Sequence, residues 1–251
     1  MEHLSLRRII PTVIVDEGKS FHRTRFKTDV YLGDPINICK IYSEKNCDEI
    51  VVLDISRKKR NTMLMSGKLA RLTSNVFVPI SYGGGVSTTN EVQEVFNCGI
   101  EKIVVKFGSK NWLSLIKFCS ENFGSQSVVL NFNLSDRYWI YRFSRKYFKL
   151  NEIDLALKKI EHLPIGEILI QIIDISGTRQ GPDFDTISKV LPLTKLPTIY
   201  GGGVGREEDI FKLFSLGVDA VSVSTLFSLQ SGSGSPLLTY IDPEKRELMG
   251  Y

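Results

Sequence analysis

Hydrophobic residues fall along the chain in short, evenly spaced runs: Ile9–Val15, Ile50–Ile55, Val78–Tyr82, Ile103–Phe107, Val128–Leu134, Ile168–Asp174, Pro197–Tyr200 and Ala220–Ser224. Most are apolar throughout instead of alternating, the pattern of parallel strands covered on both faces. Stretches with helical signals separate them. Asp34-Pro35 supplies an N-cap with proline at the first helical position. Thr88 and Glu91 have capping-box spacing ahead of Val92, Val95 and Phe96, and that segment stops near Gly99. Asn151 precedes Ile153, Leu155, Ala156 and Ile160 at helical spacing, and Gly205 opens a helix that ends near Gly217. Eight strands alternating with helices predict an α/β fold, a (β/α)8 TIM barrel, with a doubly wound open sheet as its competitor.

An internal repeat separates these two. VVLDIS at 51–56 returns as QIIDIS at 171–176, SYGGGV at 81–86 as IYGGGV at 199–204, and CGIEKIVV at 98–105 as LGVDAVSV at 216–223. Three matches in the same order, each displaced by about half the chain, predict a barrel built from two half-barrels. The barrel is expected over residues 1–228. Beyond Phe227 comes LQSGSGSP, whose glycine, serine and proline leave little room for a closing helix, so residues 229–251 are expected to form an atypical tail packed on or beside the barrel.

Composition narrows the function classes. With 251 residues, 42% of them hydrophobic, the chain can bury a large core. The formal charge of +4 is spread along the sequence, which argues against a dedicated nucleic-acid binder but not against small anionic substrates. No run reaches the roughly 18 apolar residues of a membrane span, and the first residues lack the apolar stretch of a signal peptide; a cytoplasmic protein that does not engage membranes is expected. Cys39, Cys47, Cys98 and Cys119 show no CxxC spacing and are expected to be reduced thiols. His3, His22 and His162 are scattered, so neither a metal site nor a cofactor is expected.

The glycine triplets carry the first chemical signal. Gly83-Gly84-Gly85 and Gly201-Gly202-Gly203 fall at the C-terminal ends of strands, where active sites of this architecture lie. A lone triplet only permits a tight turn; a pair related by the half-barrel shift points to two anion sites facing each other across the mouth. Gly84 and Gly85 on one side, and Gly177, Thr178, Gly202, Gly203, Ser224 and Thr225 on the other, are the candidate phosphate binders, and a phosphorylated small molecule is the expected ligand.

With RRII, GDPINICKIYSEKNCDEIVVLDIS, SYGGGV, FGSQSVV, GEILIQIIDISGTRQG, LPLTKLPTIYGGGVG and GVDAVSVSTLF in order from about residue 6 to 228, the chain resembles the cyclase subunit of imidazole-glycerol-phosphate synthase. The resemblance implies a barrel that takes ammonia from a glutaminase bound at its N-terminal face and uses it at the mouth. It also implies two acid–base aspartates, and at those positions stand Ile14 and Asn133. Isoleucine has no proton to exchange, and a neutral amide is neither acid nor base at ordinary pH. Losing one such group costs on the order of 10²–10⁴-fold in rate. His22 takes the place of the family's loop lysine and is the remaining, weak catalytic candidate; a lone loop histidine is more often a surface residue. Ser176 stands for a further aspartate, and Lys106-Phe107 for a small polar pair. The resemblance further implies that Arg8, Glu49, Lys102 and Glu167, each standing immediately before a strand, form a charged ammonia gate, with Glu101 adding a partner contact. Charges also flank strands merely to solvate their ends.

Three functions follow. The missing aspartates and altered tail resemble a cyclase-like branch that works with a glutaminase and a third, amidating enzyme, converting acetamido to acetamidino groups on surface-polysaccharide sugars. The alternatives are an authentic cyclase of histidine biosynthesis using His22 with Asp174 or Asp16, and a non-catalytic scaffold or phosphosugar sensor.

Overall fold

Strand β1 (Arg8–Asp16) lies between two parallel neighbours, and this closes the sheet on itself. Residues 8–11 register with 220–223 of β10 (Ala220–Val223), and residues 12–15 with 51–54 of β4 (Ile50–Asp54). The circuit continues through β5 (Ile80–Gly83), β6 (Lys102–Lys106), β7 (Val128–Leu134), β8 (Glu167–Ile172) and β9 (Thr198–Gly201), each parallel to the next. The computed structural model, which describes residues 7–25, 28–57, 61–65, 67–135 and 152–248, is thus a closed eight-stranded parallel barrel with alternating helices, a (β/α)8 TIM barrel.

Helices α1 (Pro35–Glu44), α2 (Lys68–Thr73), α3 (Thr89–Asn97), α4 (Trp112–Phe123), α5 (Ile153–Ile160), α6 (Phe184–Val190) and α7 (Glu207–Ser215) form its outer coat. Two of their starts follow the sequence signals closely. Asp34 accepts from the N–H groups of Ile36 and Asn37 ahead of Pro35, and Thr88 and Glu91 close a reciprocal capping box. The expected start at Asn151 lies outside the described residues; α5 begins at Ile153.

Alternation along each strand divides the core in two. Outward residues such as Ile9, Val13, Val52, Leu130, Phe132 and Ile170 pack beneath the helices in one large cluster. Inward, Ile10, Val51, Val104, Val129, Leu169, Ile199 and Ala220 meet in a second, smaller cluster, one residue from each of seven strands.

Several expectations need correction. Between β1 and α1 the structure has an antiparallel hairpin, β2 (Lys19–Thr24) with β3 (Thr28–Gly33), where a βα loop was expected. Glu17 at φ 48° and Gly18 at φ 73° make the two-residue turn into β2, the backbone that a tight hairpin requires. Strand β5 begins at Ile80, not Val78, because Pro79 has no N–H and offers only its carbonyl, to the N–H of Ile50. Strand β8 stops at Ile172, and Asp174 sits in the following turn. At the C-terminus α8 (Thr225–Ser228) is a single turn. The chain then folds back through a bridge between Leu229 and Pro236 and ends in α9 (Pro243–Leu248).

Candidate functional site

Four charged side chains close the floor of the barrel. Arg8 donates from Nη1 to Glu49 Oε2 at 2.6 Å and from Nη2 to Glu167 Oε1 at 2.7 Å. Lys102 Nζ lies 2.8 Å from Glu49 and 3.5 Å from Glu167, so cations and anions alternate around a complete cycle. Glu49, only 2% exposed, spends its other oxygen on the Ser81 hydroxyl at 2.5 Å. Burial alone would lower the Arg8 pKa; the carboxylates of Glu167 and Glu49 outweigh it and leave the pKa raised. The resemblance grouped these four residues as a gate, and in the fold they lie in one cycle of ion pairs. Glu101 has one oxygen committed to the fold, accepting the Ile80 N–H at 2.7 Å, as its half-barrel counterpart Asp219 does for Thr198 at 2.8 Å.

Above the ring, the inner apolar layer crosses the barrel. A polar layer follows. Thr12 and Ser222 share a hydroxyl–hydroxyl bond of 2.5 Å, and Asn131 and Gln171 face the same interior from β7 and β8. The side-chain oxygens of Asn131 and Asn133 are buried without a partner among the described residues. Such an atom costs about 1–3 kcal/mol when left unpaired. Sequence reading missed Asn131: its only signal was a second polar residue in the inward row of β7, two positions before Asn133.

At the mouth Ile14, 7% exposed, and Asn133 occupy the rim of β1 and β7. His22 corrects its sequence assignment: it belongs to β2, not to a loop, and is 4% exposed. Its ring lies 3.2 Å from the Thr24 hydroxyl and 3.4 Å from that of Thr225. Burial first, and then the positive charge of Arg179, hold its pKa below the ordinary histidine value, so the ring is neutral at pH 7. The remaining carboxylates are engaged: Asp174 accepts from the Ser135 hydroxyl at 2.9 and 3.0 Å, and Asp16 from Arg23 at 2.9 Å.

Both glycine loops are built for close approach of backbone. Gly84, at φ 102°, has no space for a Cβ against the Asp54 carbonyl, and a Cβ on Gly85 would come within 2.7 Å of Thr62. The Asp54 carboxylate fixes the neighbouring loop after β4 by accepting from the N–H groups of Ser56 and Met63, and it ties β5 to it by accepting from the Tyr82 hydroxyl. Across the mouth, Gly202 at φ 119° abuts the Ile172 carbonyl, and Gly203 at φ 76° abuts that of Gly181, whose N–H in turn donates to Gly203. Gly177 presses on the hairpin at Arg23, and with Gly202, Gly203, Ser224 and Thr225 it lines a pocket shared with Ile14 and Arg23. Gly84, Gly85 and Thr178 are not among the residues lining it, and the Thr178 N–H and hydroxyl both go to the Ile175 carbonyl. Arg179, which sequence reading passed over, reaches from this loop to the Ser231 hydroxyl at 3.0 Å and to the carbonyls of Thr225 and Leu229. Among the described residues no cluster of His, Cys, Asp and Glu could hold a metal ion, and no helix is long and apolar enough to cross a membrane.

Residues 8–231 match the family described as histidine biosynthesis protein. A protein of Pseudomonas aeruginosa with the provisional name of an imidazole glycerol phosphate synthase subunit is 30% identical over 248 residues, 96% of this chain and 98% of its own. One of Leptospira interrogans, also provisionally named a HisF subunit of that synthase, is 31% identical over 251 residues, 97% of this chain and 98% of its own. Imidazole glycerol phosphate synthase subunit HisF of Pyrococcus furiosus is 31% identical over 225 residues, 88% of this chain and 89% of its own. A barrel with glycine loops in both halves, a charged floor and these similarities belongs to the histidine biosynthesis protein family, among the HisF-type cyclase subunits of imidazole glycerol phosphate synthase.

Proposed function

We propose that this barrel conducts ammonia from a glutaminase docked on its N-terminal face to a third, amidating enzyme at its mouth, for acetamidino formation on a surface-polysaccharide sugar. The observation that carries the reading is the complete Arg8–Glu49–Lys102–Glu167 ring below a mouth in which Ile14 and Asn133 stand at the resemblance's acid–base positions. Closed as it is, the ring bars ions. Swinging Lys102 away from Glu167, the longest of the four contacts, opens it at the least electrostatic cost. Neutral ammonia then crosses the apolar layer without the desolvation penalty that a cation would meet. At the acceptor, ammonia nitrogen replaces the amide oxygen, which leaves as water. The glycine loops of both halves serve the mouth as anion-binding walls for a phosphorylated ligand.

The test is reconstitution. Mixed with its glutaminase, the barrel is expected to raise glutamine hydrolysis, and supplied alone with free ammonium it is expected to leave the histidine precursor unclosed. Failure to associate with any glutaminase ends the proposal. A second reading, cyclase activity in histidine biosynthesis, is supported by the names of the relatives and by the buried His22 beside Thr225. Growth of a histidine auxotroph lacking its own cyclase on this chain would favour it.

A further inference from the structure

We propose that the unpaired side-chain oxygens of Asn131 and Asn133 form a holding point for ammonia inside the barrel; the inference deepens the conduit reading above and rests on it. Both residues lie on β7 in register with the inward-facing Val129, while Val128, Leu130 and Phe132 between them pack outward under the helices. The Asn131 side chain is more than nine-tenths buried, and its Oδ1 accepts nothing from any described residue; nor does that of Asn133.

The surroundings decide what such oxygens can take. Below them Ile10, Val51, Val104, Val129 and Leu169 offer no hydrogen bond, so a molecule rising from the charged floor first meets a β7 acceptor at Asn131. The interior hydroxyls of Thr12 and Ser222 are already bonded to each other. Asn133 stands two residues further, roughly 6–7 Å along the strand, a spacing that lets a small molecule pass from one carbonyl oxygen to the other. The oxygens ask for an N–H or O–H donor, and the positive charge of Lys106, the register partner of Asn131 on β6, favours an uncharged donor over a cation. Ammonia, with three N–H bonds and one lone pair, fits this description. It is held by hydrogen bonds alone, with no proton or electron transferred. Asparagine here, in place of a carboxylate, keeps the molecule unprotonated and mobile, because an amide neither gives nor takes a proton at ordinary pH.

The experiment uses the whole chain with 15N-labelled asparagine and follows the side-chain amide resonances while ammonium chloride is added at an alkaline pH where much of it is ammonia. Peaks are assigned by their loss in Asn131→Leu and Asn133→Leu. The exposed Asn75 and Asn122, whose amides donate to the Arg71 and Phe118 carbonyls, are internal references. A saturable displacement of the Asn131 and Asn133 peaks is expected, with the references still, and in Asn131→Leu the Asn133 peak should need several-fold more ammonia to move. Displacement that is absent, shared by the references, or reproduced by trimethylamine at equal pH and ionic strength overturns the inference. The measurement needs no glutaminase. Ammonia held here by a barrel that ignores every glutaminase would therefore sink the conduit while leaving the site. A barrel that stimulates a glutaminase but shows still amides would do the reverse.

Discussion

At Glu49 one carboxylate, 2% exposed, serves Arg8, Lys102 and the Ser81 hydroxyl together. Glu49→Gln keeps the shape and removes the charge, leaving two cations to share Glu167. Breaking a buried pair from one side costs about 3–5 kcal/mol, and urea unfolding of the variant is expected to show a loss of that size. Adding Lys102→Met, which restores charge balance, should recover part of it; no recovery would mean that the cost is packing and not charge. His22 gives a pH prediction whose sign follows from its lowered pKa. The unfolded chain takes up the proton near the ordinary value, about 6.5, before the folded protein does. The stabilising contribution is therefore complete above that value and is lost as pH falls through the folded pKa. Urea midpoints at pH 7.5 and 5.5 should differ more in the parent protein than in His22→Gln. Equal differences would place the pH sensitivity elsewhere.

Glycine loops and strands show where local sequence was sufficient. The runs around Val51, Val104, Val129 and Leu169 are apolar because both faces of those strands are covered, and the half-barrel repeat identified a closed barrel. The hairpin after β1 was hidden for a physical reason. Its strands, KSFHRT and TDVYLG, are short and polar, since they stand beyond the barrel core, and only the Glu17-Gly18 turn marked them. His22 was misplaced with them, and its burial comes from Thr225, some 200 residues away, a contact that no local pattern encodes. For the same reason the four floor charges were grouped by the resemblance, but which carboxylate pairs with which cation depended on strand register. The loop glycines allow a controlled comparison. Gly203 and Gly217 both adopt positive φ, but a Cβ on Gly203 would strike the Gly181 carbonyl, whereas none of the atoms around Gly217 comes within 4 Å of one. Backbone strain alone costs about 1–3 kcal/mol. Gly217→Ala should stay in that range, while Gly203→Ala should exceed it in thermal or urea unfolding and also weaken inorganic phosphate binding at the second loop. Equal losses in the two variants would show that the close approach at Gly203 is not a constraint.

Across the whole molecule, residues 229–248 tie the barrel's two ends together. At the mouth Arg179 grips Ser231 and the carbonyls of Thr225 and Leu229. Lower down Leu237 and Thr239 donate to the carbonyls of Ser228 and Phe227, and the Tyr240 ring packs on Phe227 with centroids 5.2 Å apart. At the floor the Tyr240 hydroxyl reaches the Ile9 carbonyl at 2.9 Å, and Arg246 clasps Asp48, which also accepts the Ile9 N–H. Ile9 and Asp48 adjoin Arg8 and Glu49, so the strap braces the residues next to two of the floor charges. These contacts rank unequally. The Arg246–Asp48 pair is partly exposed and should contribute about 0.2–1 kcal/mol, and Asp48 keeps its bond to Ile9 without it. Tyr240 and the 2% exposed Ile241 are apolar anchors on the barrel wall. Removing a large buried aromatic costs about 3–5 kcal/mol; for Tyr240, partly exposed, the lower end is expected. Arg246→Ala should therefore be nearly silent in unfolding, and Tyr240→Ala clearly destabilising. If the strap braces the floor, amide exchange at Ile9 and Ile10 should quicken in Tyr240→Ala by more than that at Ile170, in the opposite wall, which follows the global loss of stability alone. Uniform acceleration at all three would mean that the strap supports global stability only and leaves the floor ring to hold itself.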